Sequence, residues 1–202
     1  MDGFGPKVFA WFKGLERDNT REYFTSTRDF YEDSVHDALE DLLHEIAGDD
    51  VKVFRQHRDL RFTKDKSPYK TRTYGIAGRL YVALSAEGMY AGTGYYRMER
   101  EQLERYRDAV DEELTEAVAG AERAGLEIRG EQLKTAPRGY PRDHPQIDLL
   151  RRKQLIIGAA LPAGRGISGE RALAHARHVW DAAEPIVAWL DARVGRVSAG
   201  DA

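Results

Sequence analysis

Residues 75–96 read GIAGRLYVALSAEGMYAGTGYY. Two runs of near-alternating apolar residues, Gly75 to Leu84 and Gly88 to Tyr96, flank Ser85-Ala86-Glu87. A short loop that ends on glycine is what a β-hairpin with a bulge requires. Gly92 and Gly94 read as strand glycines, at a bulge or a close backbone approach, rather than as a nucleotide-binding loop. This hairpin decides the fold class, because the chain on either side of it follows a different period.

Upstream, the first 47 residues read as helical. Pro6 suits a first turn, and Val8, Phe9, Trp11, Phe12 and Leu15 recur at the three-and-four spacing of a buried stripe. Asp18-Asn19-Thr20 offers cap chemistry before Arg21-Glu22-Tyr23-Phe24. A longer helix is expected from about Thr27 to Ala47, ended by Gly48. Short strands are expected at Val51–Arg55 and around Leu60 and Phe62. Downstream, one helix is expected from Glu99 to about Arg123, with Glu101, Glu104, Asp108, Glu112 and Glu116 as its solvated face. Residues 125–148 read as irregular, and 154–161 (QLIIGAAL) as a strand. The last helix begins at Ser168 as cap, with a kink or break at Pro185. Strands gathered in the middle and helices at the flanks give an α+β domain. Its sheet is antiparallel or mixed, has a central hairpin, and is packed by N-terminal, middle and C-terminal helices. Residues 1–202 read as a single domain with a frayed tail from about 196.

The composition narrows the function classes. With 42% hydrophobic and 32% charged residues the chain is an ordinary globular one. The absence of cysteine excludes disulfides, thiolate zinc sites and a cysteine nucleophile, and it suits a cytoplasmic protein. No apolar run is long enough to span a membrane, and the acidic start does not read as a secretory signal. A net charge of −3 offers long polyanions no global attraction.

Against that balance, residues 54–72 (FRQHRDLRFTKDKSPYKTR) hold Arg55, Arg58, Arg61, Lys64, Lys66, Lys70 and Arg72 against Asp59 and Asp65. Such a local excess of +5 is either an anion site, a network of structural ion pairs, or a solvated loop. Ser67-Pro68 reads as a cap followed by proline at a first helical position, whose free N–H groups would favour an anion. Arginine forks and lysine ammoniums there suit phosphate or carboxylate. No P-loop pattern is present.

A second basic stretch, 133–153 (LKTAPRGYPRDHPQIDLLRRK), sets Arg138, Arg142, Arg151, Arg152 and Lys153 against Asp143 and Asp148. Its Pro-Arg-Gly-Tyr-Pro turn would hold Arg138 and Tyr140 on a rigid loop. His144 is the candidate proton carrier, with Asp65 as its alternative, and the competing reading is a histidine that only caps the loop. Weaker signals point elsewhere. His175, His178 and Asp181 drift around a helix too fast to share a metal, so no metal site is expected. His57 beside Asp59 is a poor dyad, and Tyr90, Tyr95 and Tyr96 fit a half-buried sheet as well as a stacking role.

The stretches RDLRFTKDKSPYKT (58–71), GTGYY (92–96), LKTAPRGYPRDHP (133–145) and DLLRRK (148–153), with the opening NTREYF (19–24), resemble a family of bacterial proteins. It is known as domain of unknown function 2461, or simply as conserved hypothetical proteins. The resemblance covers nearly the whole chain. It implies one complete family domain and brings no established reaction, cofactor or catalytic residue.

The reading that follows from the residues is a pocket for a small anionic, phosphorylated ligand. Arg58, Arg61, Lys64, Lys66 and Lys70 from one stretch would converge with Arg138, Arg151 and Lys153 from the other, and Tyr69 and Tyr140 would line it. The alternatives are a nucleic-acid-binding module that uses the same cations, and an interaction domain in which they are structural. No cofactor is read from the sequence.

Overall fold

In a computed structural model, residues 3–59, 61 and 65–195 are described. The fold is α+β. The expected strand around Leu60 and Phe62, with Lys64 and the tail from 196, lies outside the described residues.

The element order is β1 (Gly3–Phe4), α1 (Pro6–Arg17), α2 (Arg21–Ser26), α3 (Arg28–Tyr31), a π-helical turn (Glu32–His36), α4 (Asp37–Ala47), β2 (Val51–Val53), β3 (Arg72–Ala77), β4 (Leu80–Ser85), β5 (Gly88–Tyr95), α5 (Arg100–Ala109), α6 (Glu112–Arg123), β6 (Glu127–Arg129), α7 (Ile147–Leu150), β7 (Leu155–Pro162), β8 (Ile167–Ser168) and α8 (Gly169–Arg193). The main sheet is antiparallel and has the order β2-β3-β4-β5-β7-β6, while β1 pairs with β8. The residues divide into two compact units, Met1–Ala91 with Ala160–His178 and Gly92–Ala159 with Val179–Ala202. No helix among the described residues is long and apolar enough to cross a membrane.

In the first unit the α1 stripe is buried as the spacing predicts, with Phe12 and Leu15 fully enclosed. Burial of this kind contributes about 1.5–3 kcal/mol per large side chain. Thr20 caps α2 by accepting from the Tyr23 amide at 3.2 Å. Tyr23 in turn donates to the Trp11 carbonyl at 2.9 Å and occupies the space where any side chain on Gly14 would sit. Leu39, Leu42 and Leu43 of α4 are fully buried. Leu43 meets β3 at Gly75, a position without room for a Cβ.

The expected single strand from Gly75 to Leu84 is two strands. Gly78, at φ +56°, turns the chain between β3 and β4, which pair from Arg72↔Ser85 to Ala77↔Leu80. The turn takes a left-handed backbone that glycine adopts without strain. Gly88 closes the hairpin at φ +140°, where a Cβ would run into the Leu161 carbonyl.

In the second unit the expected helix 99–123 is broken into α5 and α6. Val110 is extended at ψ 122°, and Asp111 caps the new helix by accepting from the Leu114 amide at 3.0 Å. Asp111 also accepts from Trp189 Nε1 at 3.0 Å and pairs with Arg193. Three donors on one carboxylate favour a cap over another helical turn. Residues 125–148 are less irregular than expected, because β6 pairs with β7 from Glu127↔Gly158 to Arg129↔Ile156 and α7 forms a single turn. Ser168, in the first unit, accepts from the Arg171 amide at 3.3 Å, as its expected cap role requires, and α8 runs on through Pro185 as one helix.

Candidate functional site

The first basic stretch folds back on itself. His57 bridges Tyr69 in antiparallel fashion; the Arg58 amide donates to the Pro68 carbonyl and the Lys70 amide to the Gln56 carbonyl, both at 2.9 Å. Ser67-Pro68 therefore does not start a helix, and no free helical N–H groups are available there. The reason is local. Asp65 accepts from both the Ser67 amide, at 2.9 Å, and the Ser67 hydroxyl, at 2.6 Å, so the cap residue is itself capped and the chain bends at Pro68 without entering a helix.

Two side-chain amides hold this bridge. Asn19 pairs with the Tyr69 backbone as a strand would, accepting from its N–H at 3.0 Å and donating to its carbonyl at 3.1 Å. Gln56, buried, accepts from the Thr73 hydroxyl at 2.8 Å and donates to the Lys70 carbonyl. Buried amides satisfied in this way fix the backbone on both sides. With Gln56 turned inward, Arg55 and His57 are the exposed neighbours on either side of it.

These two residues form one wall of a concavity of about 380 Å³ within the first unit. Its floor is aromatic: Phe24 stacks on buried Tyr69 with ring centroids 4.1 Å apart and planes inclined by 14°, and Phe24 also meets Tyr31 at 5.2 Å. α3 and the π turn also line it, through Arg28, Glu32 and His36. The π turn is marked by the Asp37 amide donating to the Glu32 carbonyl, and such turns occur often at functional sites.

The charges of the pocket are unevenly used. Arg28 lies 3.6 Å from Glu32, and His36 Nδ1 lies 3.0 Å from Asp37. The Arg55 guanidinium makes no hydrogen bond or ion pair among the described residues; it acts on Asp59 only through space. The His57 ring touches Tyr69 and Phe24 at 4.9 and 5.9 Å and has no hydrogen-bond partner among the described residues. Burial pushes the Tyr31 phenol up to about 12, so it stays a neutral donor. One group among the described residues has donor atoms close enough for a metal ion, His36, Asp37 and Glu40, within 4.8 Å of one another.

Of the residues singled out in the sequence, Tyr69 lines this pocket. Arg58 pairs with Asp65, and Arg61 pairs with Asp59 at 2.6 Å. Lys66 is exposed. Lys70 donates to the Arg55 carbonyl at 2.7 Å and sits 4.6 Å from the Tyr74 ring centre. Asp65, bound first by Ser67 and then by Arg58, is held near about 2, a carboxylate that stays ionised at neutral pH.

In the second unit, Arg138 is exposed, and the Tyr140 hydroxyl donates to Asp108 at 3.1 Å. His144 Nδ1 accepts from the Gln146 amide at 3.1 Å, the capping role weighed against proton transfer. Arg151 donates to the Leu133 carbonyl at 2.7 Å and the Lys134 carbonyl at 3.3 Å, and Lys153 meets Glu131 at 3.3 Å.

The sequence reading did not single out Arg28, His36 or the π turn. No signal in the sequence marks the π turn: Tyr31, Val35 and Leu39 are buried at steps of four, a spacing that an ordinary amphipathic α-helix also presents.

No curated protein and no solved structure matches the chain. A family model described as conserved hypothetical protein (DUF2461) matches residues 7–189, a span that takes in both units and every wall of the pocket, and the chain belongs to that family.

Proposed function

We propose that the concavity bounded by α3, the π turn and the 55–57 strand binds a small anionic ligand through a phosphate or carboxylate group. The observation that carries this reading is the Arg55 guanidinium, with five donors and no acceptor among the described residues, on the wall of an aromatic-floored pocket. Its planar fork suits two oxygens of one phosphate or carboxylate. Arg28 also lines the pocket, Glu32 offsets part of its charge, and the His57 ring offers a further donor or acceptor. The reading rests on the first basic stretch alone and assigns no proton transfer.

A structural role is favoured for part of the same stretch, since Arg58 and Arg61 are paired with Asp65 and Asp59 a few residues away. Exposed pairs of this kind contribute little to stability and leave the loop in a defined shape.

Calorimetric titration with inorganic phosphate, pyrophosphate and a panel of phosphorylated sugars and nucleotides tests the proposal. At least one of them should bind the wild-type protein. Arg55→Ala should weaken that binding by about tenfold or more, and Arg55→Lys should lose part of it for want of the fork. Arg61→Ala should change it by less than about threefold. Equal affinity in wild type and Arg55→Ala, or no binding by any of these anions, would sink the idea.

A further inference from the structure

A second surface stands out on the sheet, and a different set of residues carries it. In β3 the side chains alternate in use, and in β4 they do so except at buried Ala83. Thr73, Gly75, Val82 and Leu84 are buried, and Gly75 meets α4. Tyr74 and Tyr81 therefore point to the other face, and both are half-buried. Phe54 joins them at the edge, where its amide donates to the Tyr74 carbonyl at 2.9 Å, and Tyr90 joins from β5.

The four rings form a row across neighbouring strands. Phe54 and Tyr74 have centroids 5.0 Å apart, Tyr74 and Tyr81 5.5 Å, and Tyr81 and Tyr90 6.4 Å. Cations are set into the row. Lys52 Nζ lies 5.0 Å from the Phe54 centroid and Lys70 Nζ 4.6 Å from that of Tyr74, while exposed Arg72 acts electrostatically on Tyr81.

We infer that this row, Phe54, Tyr74, Tyr81 and Tyr90 with Lys52, Lys70 and Arg72, is a docking face for single-stranded nucleic acid. Charge complementarity and ring geometry together select that occupant. Unpaired bases stack on aromatic faces whatever their identity, and the phosphates between them need cations at the same intervals. An acidic protein segment would satisfy the cations and leave the rings without stacking partners. A duplex would hide its bases from a sheet surface. The net charge of −3 keeps general polyanion attraction low, so stacking carries much of the recognition.

Fluorescence anisotropy with short labelled oligothymidine and oligouridine tests this, on the whole chain at low and moderate salt. Both strands should bind, and affinity should fall steeply as salt rises. Tyr74→Leu and Tyr81→Leu, which keep apolar volume but remove the ring, should each weaken binding by about tenfold. Tyr74→Phe and Tyr81→Phe keep the ring and should bind like wild type, which separates stacking from folding. Lys70→Ala should reduce the steepness of the salt response by about one phosphate contact. Absence of binding by both oligonucleotides, leucine variants that bind like wild type, or equal competition by polyglutamate or by duplex of the same length would overturn the inference.

Discussion

In residues 54–72 the Arg55 guanidinium and the His57 ring have no hydrogen-bond partner among the described residues, whereas in 133–153 Arg151 and Lys153 are spent on protein acceptors. Arg151 ties two backbone carbonyls, Lys153 meets Glu131, and the Tyr140 hydroxyl holds Asp108. Both stretches showed the same signature, a cluster of positive charge around proline and tyrosine. What separates them is the accounting of donors. A guanidinium bound to two carbonyls is a staple, and one that faces a cavity with its five donors unused is a candidate ligand group. Density of charge in the sequence does not distinguish the two.

The first stretch depends on an aromatic floor, and the largest effect should come from removing it. Tyr69 is 4% exposed and stacked on Phe24. Tyr69→Ala should cost about 3–5 kcal/mol, as large-to-small changes at buried aromatics do, read as a lower urea midpoint. A loss below about 1 kcal/mol would mean that the floor is not part of the packed unit.

The comparison itself is tested by a pair of arginines. Arg151→Ala removes two charge-assisted hydrogen bonds to carbonyls from a side chain that is 27% exposed. It should destabilise by about 2 kcal/mol. Arg55→Ala removes no hydrogen bond or ion pair among the described residues and should stay within about 0.5 kcal/mol of wild type in the same denaturation experiment. Reversed magnitudes would erase the distinction between staple and ligand group.

Much of the frame was legible because its cause is local. The stripe Val8 to Leu15 repeats at helical spacing and is buried accordingly. The hairpin carries glycine where its backbone needs one, at Gly88. The misreadings have distant or compensating causes. The break before α6 depends on Asp111 meeting Trp189 and Arg193, some eighty residues further along, and nothing in the period of 99–123 announces it. Ser67-Pro68 looked like a helix start because the cap rule was applied without Asp65, which binds Ser67 first. For the candidate site, Arg55, His57 and Tyr69 lay within the quoted stretch, while Arg28 and His36 joined them only through the packing of α3 and the π turn.

The smallest expected effect concerns the acids of the first stretch. Asp65 is held at about 2 by Ser67 and Arg58, and Arg61 holds Asp59 well below the usual carboxylate range. A carboxylate whose folded-state pKa is depressed stabilises fully above its unfolded value of about 3.9. That contribution is lost as pH falls through the folded value, so the loss should fall mainly between about pH 4 and pH 2. Both groups are exposed, which makes the effect modest and sensitive to salt. In urea denaturation at a series of pH values, the double variant Asp59→Asn with Asp65→Asn should show a shallower decline through this window than wild type. At neutral pH the variant should lie below wild type by that modest contribution, and the two should converge as pH falls toward about 2. Equal slopes in wild type and variant would show that the two pairs do not hold the loop in solution, and with them would go the structural reading of Arg58 and Arg61.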